Sequence, residues 1–191
     1  MLMKSMGRIN EALAEIRKAQ AVDPLSPIIQ DVAGITLAYA GRFDEAMIEF
    51  DKALKLSPGF PAAYNGRGMV FLLQKRIPEA IADFERVRAK TGDTLYALSN
   101  LGYAYARAGR TNEARQIIDK MKKISDRDHT SSDVAFVHLG LGELDEFFRL
   151  AEAAVESHDQ DPRTWKIEPL LADVLKDPRY AALLKKYGLD K

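Results

Sequence analysis

The chain has 191 residues, a length that fits one ordinary domain or about five and a half units of a 34-residue repeat. Its 28 Lys and Arg balance 28 Asp and Glu, which argues against the broad basic footprint of a general nucleic-acid binder and the acidic bias of a solvating tail. With 47% hydrophobic and 29% charged residues it can bury a core and stay soluble, and the absence of Cys removes disulfide staples, redox pairs and thiolate nucleophiles.

Residues 1–8 lack the apolar stretch of a secretory signal, and no window reaches the roughly 18 consecutive apolar residues that span a bilayer. The expectation is a cytoplasmic chain with no membrane segment. Residues 1–26 then read mainly as the second helix of a pair, following a break at Gly7. Three full units follow, at 27–60, 61–94 and 95–128. Sliding the chain by 34 residues aligns Gly34 with Gly68 and Gly102, Ala46 with Ala80 and Ala114, and Arg8 with Arg42, Arg76 and Arg110. Apolar character persists where identity changes, as in Leu37, Phe71 and Tyr105, in Phe50, Phe84 and Ile118, and in Ala53, Val87 and Met121. The steps of three and four residues within each unit place these positions on one face of a helix, so each unit holds two helices. Gly41 and Gly109 can end the first helix at positive φ, with Asn10, Asp44 and Asn112 near the start of the second. Lys75 departs from that glycine rung. Pro24, Pro58 and Gly92 close their units. The small rungs let helix axes approach, and the large rung Phe50, Phe84, Ile118 fills the adjoining space. The ladder of Glu11, Glu45, Glu79 and Glu113 follows the Arg ladder by three residues, within reach of a helical ion pair.

Paired helices in a 34-residue period, with Gly34/Leu37, Ala46/Phe50/Ala53 and Pro58, resemble tetratricopeptide repeats. The fold expected is all-α, an α-solenoid of antiparallel helix pairs. Residues 1–26 are a truncated repeat, which suits a piece of a longer parent or an abbreviated opening turn.

Residues 129–161 read as a degenerate pair in which Phe147 stands where Ala stood and Ala151 where Phe stood, with Val134 and Ala135 on the facing helix. Residues 162–191 read as a cap. Asp161-Pro162 and Asp177-Pro178 each combine an N-cap acceptor with a proline suited to a first turn. A last helix is predicted from about Pro178 to Tyr187, with Tyr180, Leu183, Leu184 and Tyr187 on one side, Lys185 and Lys186 at its end, and Gly188 as its stop. The run from Trp165 to Leu171, with Asp177-Pro178-Arg179-Tyr180, resembles the end of composite bacterial regulators. In those proteins tetratricopeptide segments follow a winged-helix, nucleotide cyclase or kinase domain, so the resemblance implies a regulatory, partner-binding module.

The resemblance also implies that the first helix of each pair lines an inner curve. The rungs there are Asp31, Asn65 and Ser99; Ile35, Met69 and Tyr103; Tyr39, Leu73 and Arg107; and Ile28, Ala62 and Tyr96. The family's carboxylate grip places Lys and Asn on the first two rungs. Here Asp31 would repel a carboxylate, and Ile35, Met69 and Tyr103 offer no amide donors. A groove of this composition suits an extended or helical peptide, with Tyr and Met as anchors. The competing reading packs Ile35, Met69 and Leu73 against a neighbouring helix or the chain's own tail.

Other signals carry less. His129, His138 and His158 stand far apart without metal-ligand spacing, and His158-Asp159 with Asp161 has no nucleophile beside it. Gly66-Arg67-Gly68 lacks the lysine of a phosphate loop, and Lys120, Lys122 and Lys123 suit a helix end. The expectation is a non-catalytic module without cofactor or metal, binding a protein or peptide and not nucleic acid. Self-association through Ile9, Leu13 and Ile16 of the truncated first repeat is the alternative, and an enzyme with an unrecognised site is a more remote one.

Overall fold

Small residues and tight turns, repeated at fixed intervals, let the chain build itself from antiparallel helices. The computed structural model describes residues 2–124, 131–157 and 161–190, and every regular element among them is helical. Two units, Met1–Gly92 and Asp93–Lys191, divide the chain. The first holds α1 (Leu2–Val22), α2 (Pro27–Tyr39), α3 (Phe43–Leu56), α4 (Pro61–Leu73) and α5 (Ile77–Thr91). The second holds α6 (Leu95–Arg107), α7 (Thr111–Ile124), α8 (Ser131–Leu141), α9 (Leu144–Glu156), three short 3-10 turns and α10 (Pro178–Lys186).

Helix starts follow local chemistry. Ser26 caps α2 by accepting the Ile29 amide, Thr94 caps α6 by accepting the Ala97 amide, and Asp177 caps α10 by accepting the Arg179 amide. Pro27, Pro61 and Pro178 occupy first helical positions, where the missing amide is not needed. Asp44 and Asn112 lie inside the first turns of α3 and α7, and Asn10 lies within α1. The cap positions of α3 and α5 belong instead to Arg42 and Arg76, whose side chains make no cap bond.

The pairs close alike. After α2 the Gly41 amide donates to Ala38 O and the Arg42 amide reaches back to Leu37 O, which places Gly41 at φ 73°. Gly109 repeats this after α6, and Lys75 after α4. Lys75, at φ 61°, is the one non-glycine residue at positive φ among the described residues. Its Cβ is strained there by roughly 1–2 kcal/mol. The break expected at Gly7 does not occur, because α1 runs unbroken from Leu2 to Val22. A single glycine costs a helix only about 1 kcal/mol, less than the neighbouring turns supply.

In the N-terminal unit the small and large rungs meet as expected. A Cβ on Gly34 would lie 2.7 Å from the Phe50 ring, and one on Gly68 would lie 2.6 Å from Phe84. Phe50 also packs against Gly66, 2.5 Å from its ideal Cβ, so this ring sits between two glycines. In the C-terminal unit the nearest side chains to Gly102 are Val137 and Ile117, so Ile118 is not the residue that fills this contact. Ala46, Ala80 and Ala114 are fully buried.

The Arg ladder pairs with the Glu ladder at Arg42–Glu45, Arg76–Glu79 and Arg110–Glu113. It has a second role: Arg76 lies over Phe71 at 4.4 Å and Arg110 over Tyr105 at 4.3 Å, joining each turn to the apolar rung behind it. A further link spans α4 and α5. Arg67 donates two hydrogen bonds to buried Asp83 and another to Asp51, while Arg86 completes the set on Asp83. Gly66-Arg67-Gly68 is thus the middle of α4 and serves packing and pairing.

The C-terminal unit closes on its own tail. Trp165 is fully enclosed, with ring centres 5.5 Å from Phe147 and 5.6 Å from Tyr180, and the Tyr180 hydroxyl donates to Pro162 O. Leu171, Val174, Leu183 and Leu184 join Ala135, Phe147, Phe148 and Ala151 in one core. Arg179 bonds Asp145 as well as Asp177, which fastens α10 to α9. These contacts hold Asp177 ionised, its carboxyl lowered to about 2 by the Arg179 guanidinium.

Candidate functional site

The two units treat their first-helix faces differently. On α2, Ile28, Val32, Ile35 and Tyr39 recur at steps of four, three and four and form one stripe along the helix. All four are exposed, Ile28 by 61% and Tyr39 by 48%. Val22 and Leu25 extend the apolar surface before α2, so six of the ten exposed large hydrophobics among the described residues lie between Val22 and Tyr39. Beside the stripe, α4 offers the half-buried Ala62, Asn65, Met69 and Leu73; α2 and α4 pack directly together. The α2 periodicity makes Val32 legible as a member of this face, although the repeat rungs do not contain it.

Asp31 flanks the stripe. At about 100° per residue it lies about 60° around the helix from Ile28 and about 40° from Ile35, on the Gly34 side. Only 5% of its surface is exposed, and its Oδ1 atom, shielded from water, has no hydrogen-bond partner among the described residues. Burial pushes its carboxyl up to about 6.

On α6 the equivalent rungs are closed. Tyr103 is 6% exposed and stacks on Phe136 of α8, ring centres 4.3 Å apart and nearly parallel. Burial raises its phenol, with Arg107 opposing and Asp173 reinforcing that shift. Ser99 is buried and hydrogen-bonds Asp133 of α8, whose carboxyl is nevertheless raised by desolvation. Phe136 in turn packs against the core that contains Trp165, Leu171 and Val174. Neither Ser99 nor Tyr103 is open to a partner, whereas Tyr96 and Arg107 are exposed. In this unit the chain's own next pair covers the face.

The first repeat also differs from expectation. Leu13 is buried with Leu37, Phe50 and Ala63, and Ile9 packs against that same cluster. Ile16 is half-buried and lines a shallow cleft of about 130 Å³ with Gln20, Leu37 and Glu49. The apolar side of α1 expected to be unpaired is therefore turned onto α2 and α3. Of the histidines, His138 is buried and its Nδ1 pairs with Glu143, while His129 and His158, with Asp159, lie outside the described residues. Lys120 bonds Asp93 at the end of α7. No helix among the described residues is long and apolar enough to cross a membrane.

Helix pairs in a 34-residue period, glycine rungs against aromatic rungs and an apolar first-helix face define a repeat-built protein-interaction scaffold. The chain belongs to the tetratricopeptide repeat family, whose model matches residues 5–59, 32–94 and 77–129. No curated protein matches the sequence. Among solved structures, the fold is similar to that of TTC0263, a thermophilic TPR protein of Thermus thermophilus, with 18% identity over 96% of this chain and 94% of that one at a TM-score of 0.69. It is also similar to PilW, a type IV pilus biogenesis factor, with 21% identity over 97% and 89% at 0.66. A third is YrrB, described as a TPR protein with an unusual peptide-binding site, with 20% identity over 90% and 89% at 0.56.

Proposed function

We propose that this chain is a non-catalytic scaffold that docks a peptide or a partner helix on the α2 and α4 face of its N-terminal unit. The clustering of exposed apolar residues from Val22 to Tyr39 carries this reading. Single exposed apolar residues are ordinary, but a contiguous stripe along one helix is where soluble proteins receive partners. Ile28, Ile35 and Tyr39 supply anchors, Met69 and Leu73 an adaptable wall, and Asn65 a polar fixer. That YrrB has a peptide-binding site gives the proposal a precedent on the same fold.

The test is direct. Peptides selected on the full chain from a random display library are titrated against the wild type and against the pair Ile35→Glu and Met69→Glu. A loss of affinity of roughly tenfold or more is expected from burying two carboxylates in an apolar contact. Equal affinity for both chains would remove this face from the account.

A further inference from the structure

By the register that pairs the other helices, α1 is a second helix, and among the described residues no first helix lies on it as α2 lies on α3. On α3 the positions Ala46, Phe50 and Ala53 are buried, and so are Ala80, Phe84 and Val87 on α5. Each set faces the first helix of its own pair, where Gly34 meets Phe50 and Gly68 meets Phe84. The same positions on α1 are Ala12, Ile16 and Ala19, of which Ala12 is exposed and the other two are half-buried. The Phe50 ring is enclosed from two sides, by Gly34 of its own first helix and by Gly66 of the next. A shift of 34 residues puts Ile16 at the place of Phe50 and Val32 at that of Gly66, so α1 has the second of these walls and not the first. Val32 is 43% exposed and Val22, at the end of α1, is 87% exposed. The strip formed by Ala12, Ile16, Ala19, Val22 and Val32 carries no charge.

We propose that α1 and the adjoining edge of α2 seat an amphipathic helix of another polypeptide, which completes the first pair as α2 completes the pair with α3. The seat adjoins the α2 and α4 docking face and is distinct from it. It continues, by one further step, the helix-on-helix interface that the chain already makes between α2 and α3 and between α4 and α5. Those filled copies define the occupant. The first helices α2, α4 and α6 are each 13 residues long, and each carries a glycine followed three residues later by a large apolar residue, at Gly34 and Leu37, Gly68 and Phe71, and Gly102 and Tyr105. A partner with that spacing brings a small residue over Ile16 and lets the two axes approach, while its large residue is buried beside it. An extended segment does not fit, because its alternating side chains cannot follow positions spaced by four and three. Charge on the contacting side is excluded by the uncharged strip it would have to bury against. A second copy of this chain is a poor source, since its α2, α4 and α6 would have to leave the second helices they already cover.

The experiment uses the full chain and, as a stand-in for the partner helix, a labelled peptide copying residues 26–40 with lysines added at its end for solubility. A control peptide carries Gly34→Leu and Leu37→Gly, which keeps the composition and exchanges the small and large positions. Both are titrated by fluorescence anisotropy against the wild type, Ala12→Glu and Met69→Glu. Ala12 is exposed, so Ala12→Glu should melt with the wild type in circular dichroism. The first peptide should bind the wild type and Met69→Glu alike and lose roughly tenfold or more on Ala12→Glu, and the control should bind the wild type weaker by a similar factor. Equal affinity of the first peptide for the wild type and Ala12→Glu, equal affinity of both peptides for the wild type, or no binding at all would overturn the seat. Each of those results leaves the α2 and α4 docking face to its own titration, with library peptides against Ile35→Glu and Met69→Glu, so the two readings fail separately. A wild-type dimer in light scattering that Ala12→Glu dissolves would put a second copy of the chain in the seat and overturn the assignment to another polypeptide.

Discussion

The two units carry the same repeat and use it in opposite ways. In the N-terminal unit the α2 stripe of Ile28, Val32, Ile35 and Tyr39 remains in water. In the C-terminal unit Ser99 and Tyr103, at repeat positions equivalent to Asp31 and Ile35, are covered by α8. The difference does not come from the rung residues alone. Phe136 provides an aromatic plate for Tyr103 and packs against the core that also contains Trp165, Leu171 and Val174 of the tail. Burial of the same rung thus depends on what the neighbouring pair presents to it.

Breaking the tail should have the largest effect. Trp165→Ala removes the centre of the aromatic group with Phe147 and Tyr180, and a loss of about 3–5 kcal/mol is expected in urea unfolding followed by circular dichroism. A loss below about 1 kcal/mol would mean that Trp165 is not what closes this unit. In the N-terminal unit the open face does not imply a loose interior. Ala80 is fully enclosed, so Ala80→Leu should cost roughly 1–3 kcal/mol by overpacking, and an unchanged thermal midpoint would contradict the assigned contact.

Asp31 sharpens the comparison with the opposite sign. Its folded carboxyl titrates at about 6 against an ordinary 3.8, so between those values the folded chain holds a proton that the unfolded chain has released. This contribution therefore favours folding at low pH and weakens as pH rises through that window. Asp31→Asn should stabilise the chain by about 1–2 kcal/mol above pH 7 and by little below pH 4, as measured by parallel unfolding curves. A constant difference across that range would show that ionisation is not the cause. The smallest effect concerns the turn that departs from its counterparts: Lys75→Gly relieves the positive φ and should add about 0.5–1 kcal/mol after the extra freedom of the unfolded glycine is counted. A drop in melting temperature would contradict that balance.

Much of this organisation is legible in the sequence because it is local or periodic. Gly34 and Gly68 announce the close approach of Phe50 and Phe84, Gly41 and Gly109 the turns, and Asp161 and Asp177 the starts of the tail turn and of α10. Features decided by partners elsewhere are not. Gly7 reads as a break by analogy with Gly41, yet packing of Ile9 and Leu13 on α2 and α3 keeps α1 whole. The pairing of Arg67 with Asp83 joins two helices at positions with no shared rung, so periodicity is silent about it. For the candidate site, α2 periodicity gives the stripe, whereas the closure over Tyr103 needs Phe136, whose stacking no motif announces.

The contrast between an open α2 and a covered α6 is tested most directly by hydroxyl-radical footprinting of the full chain with and without a peptide selected on it. Tyr39 should be oxidised readily and Tyr103 slowly in the free chain, and the peptide should protect Tyr39 while leaving Tyr103 unchanged. Rapid oxidation of Tyr103 in the free chain, or a peptide that leaves Tyr39 as reactive as before, would contradict the account.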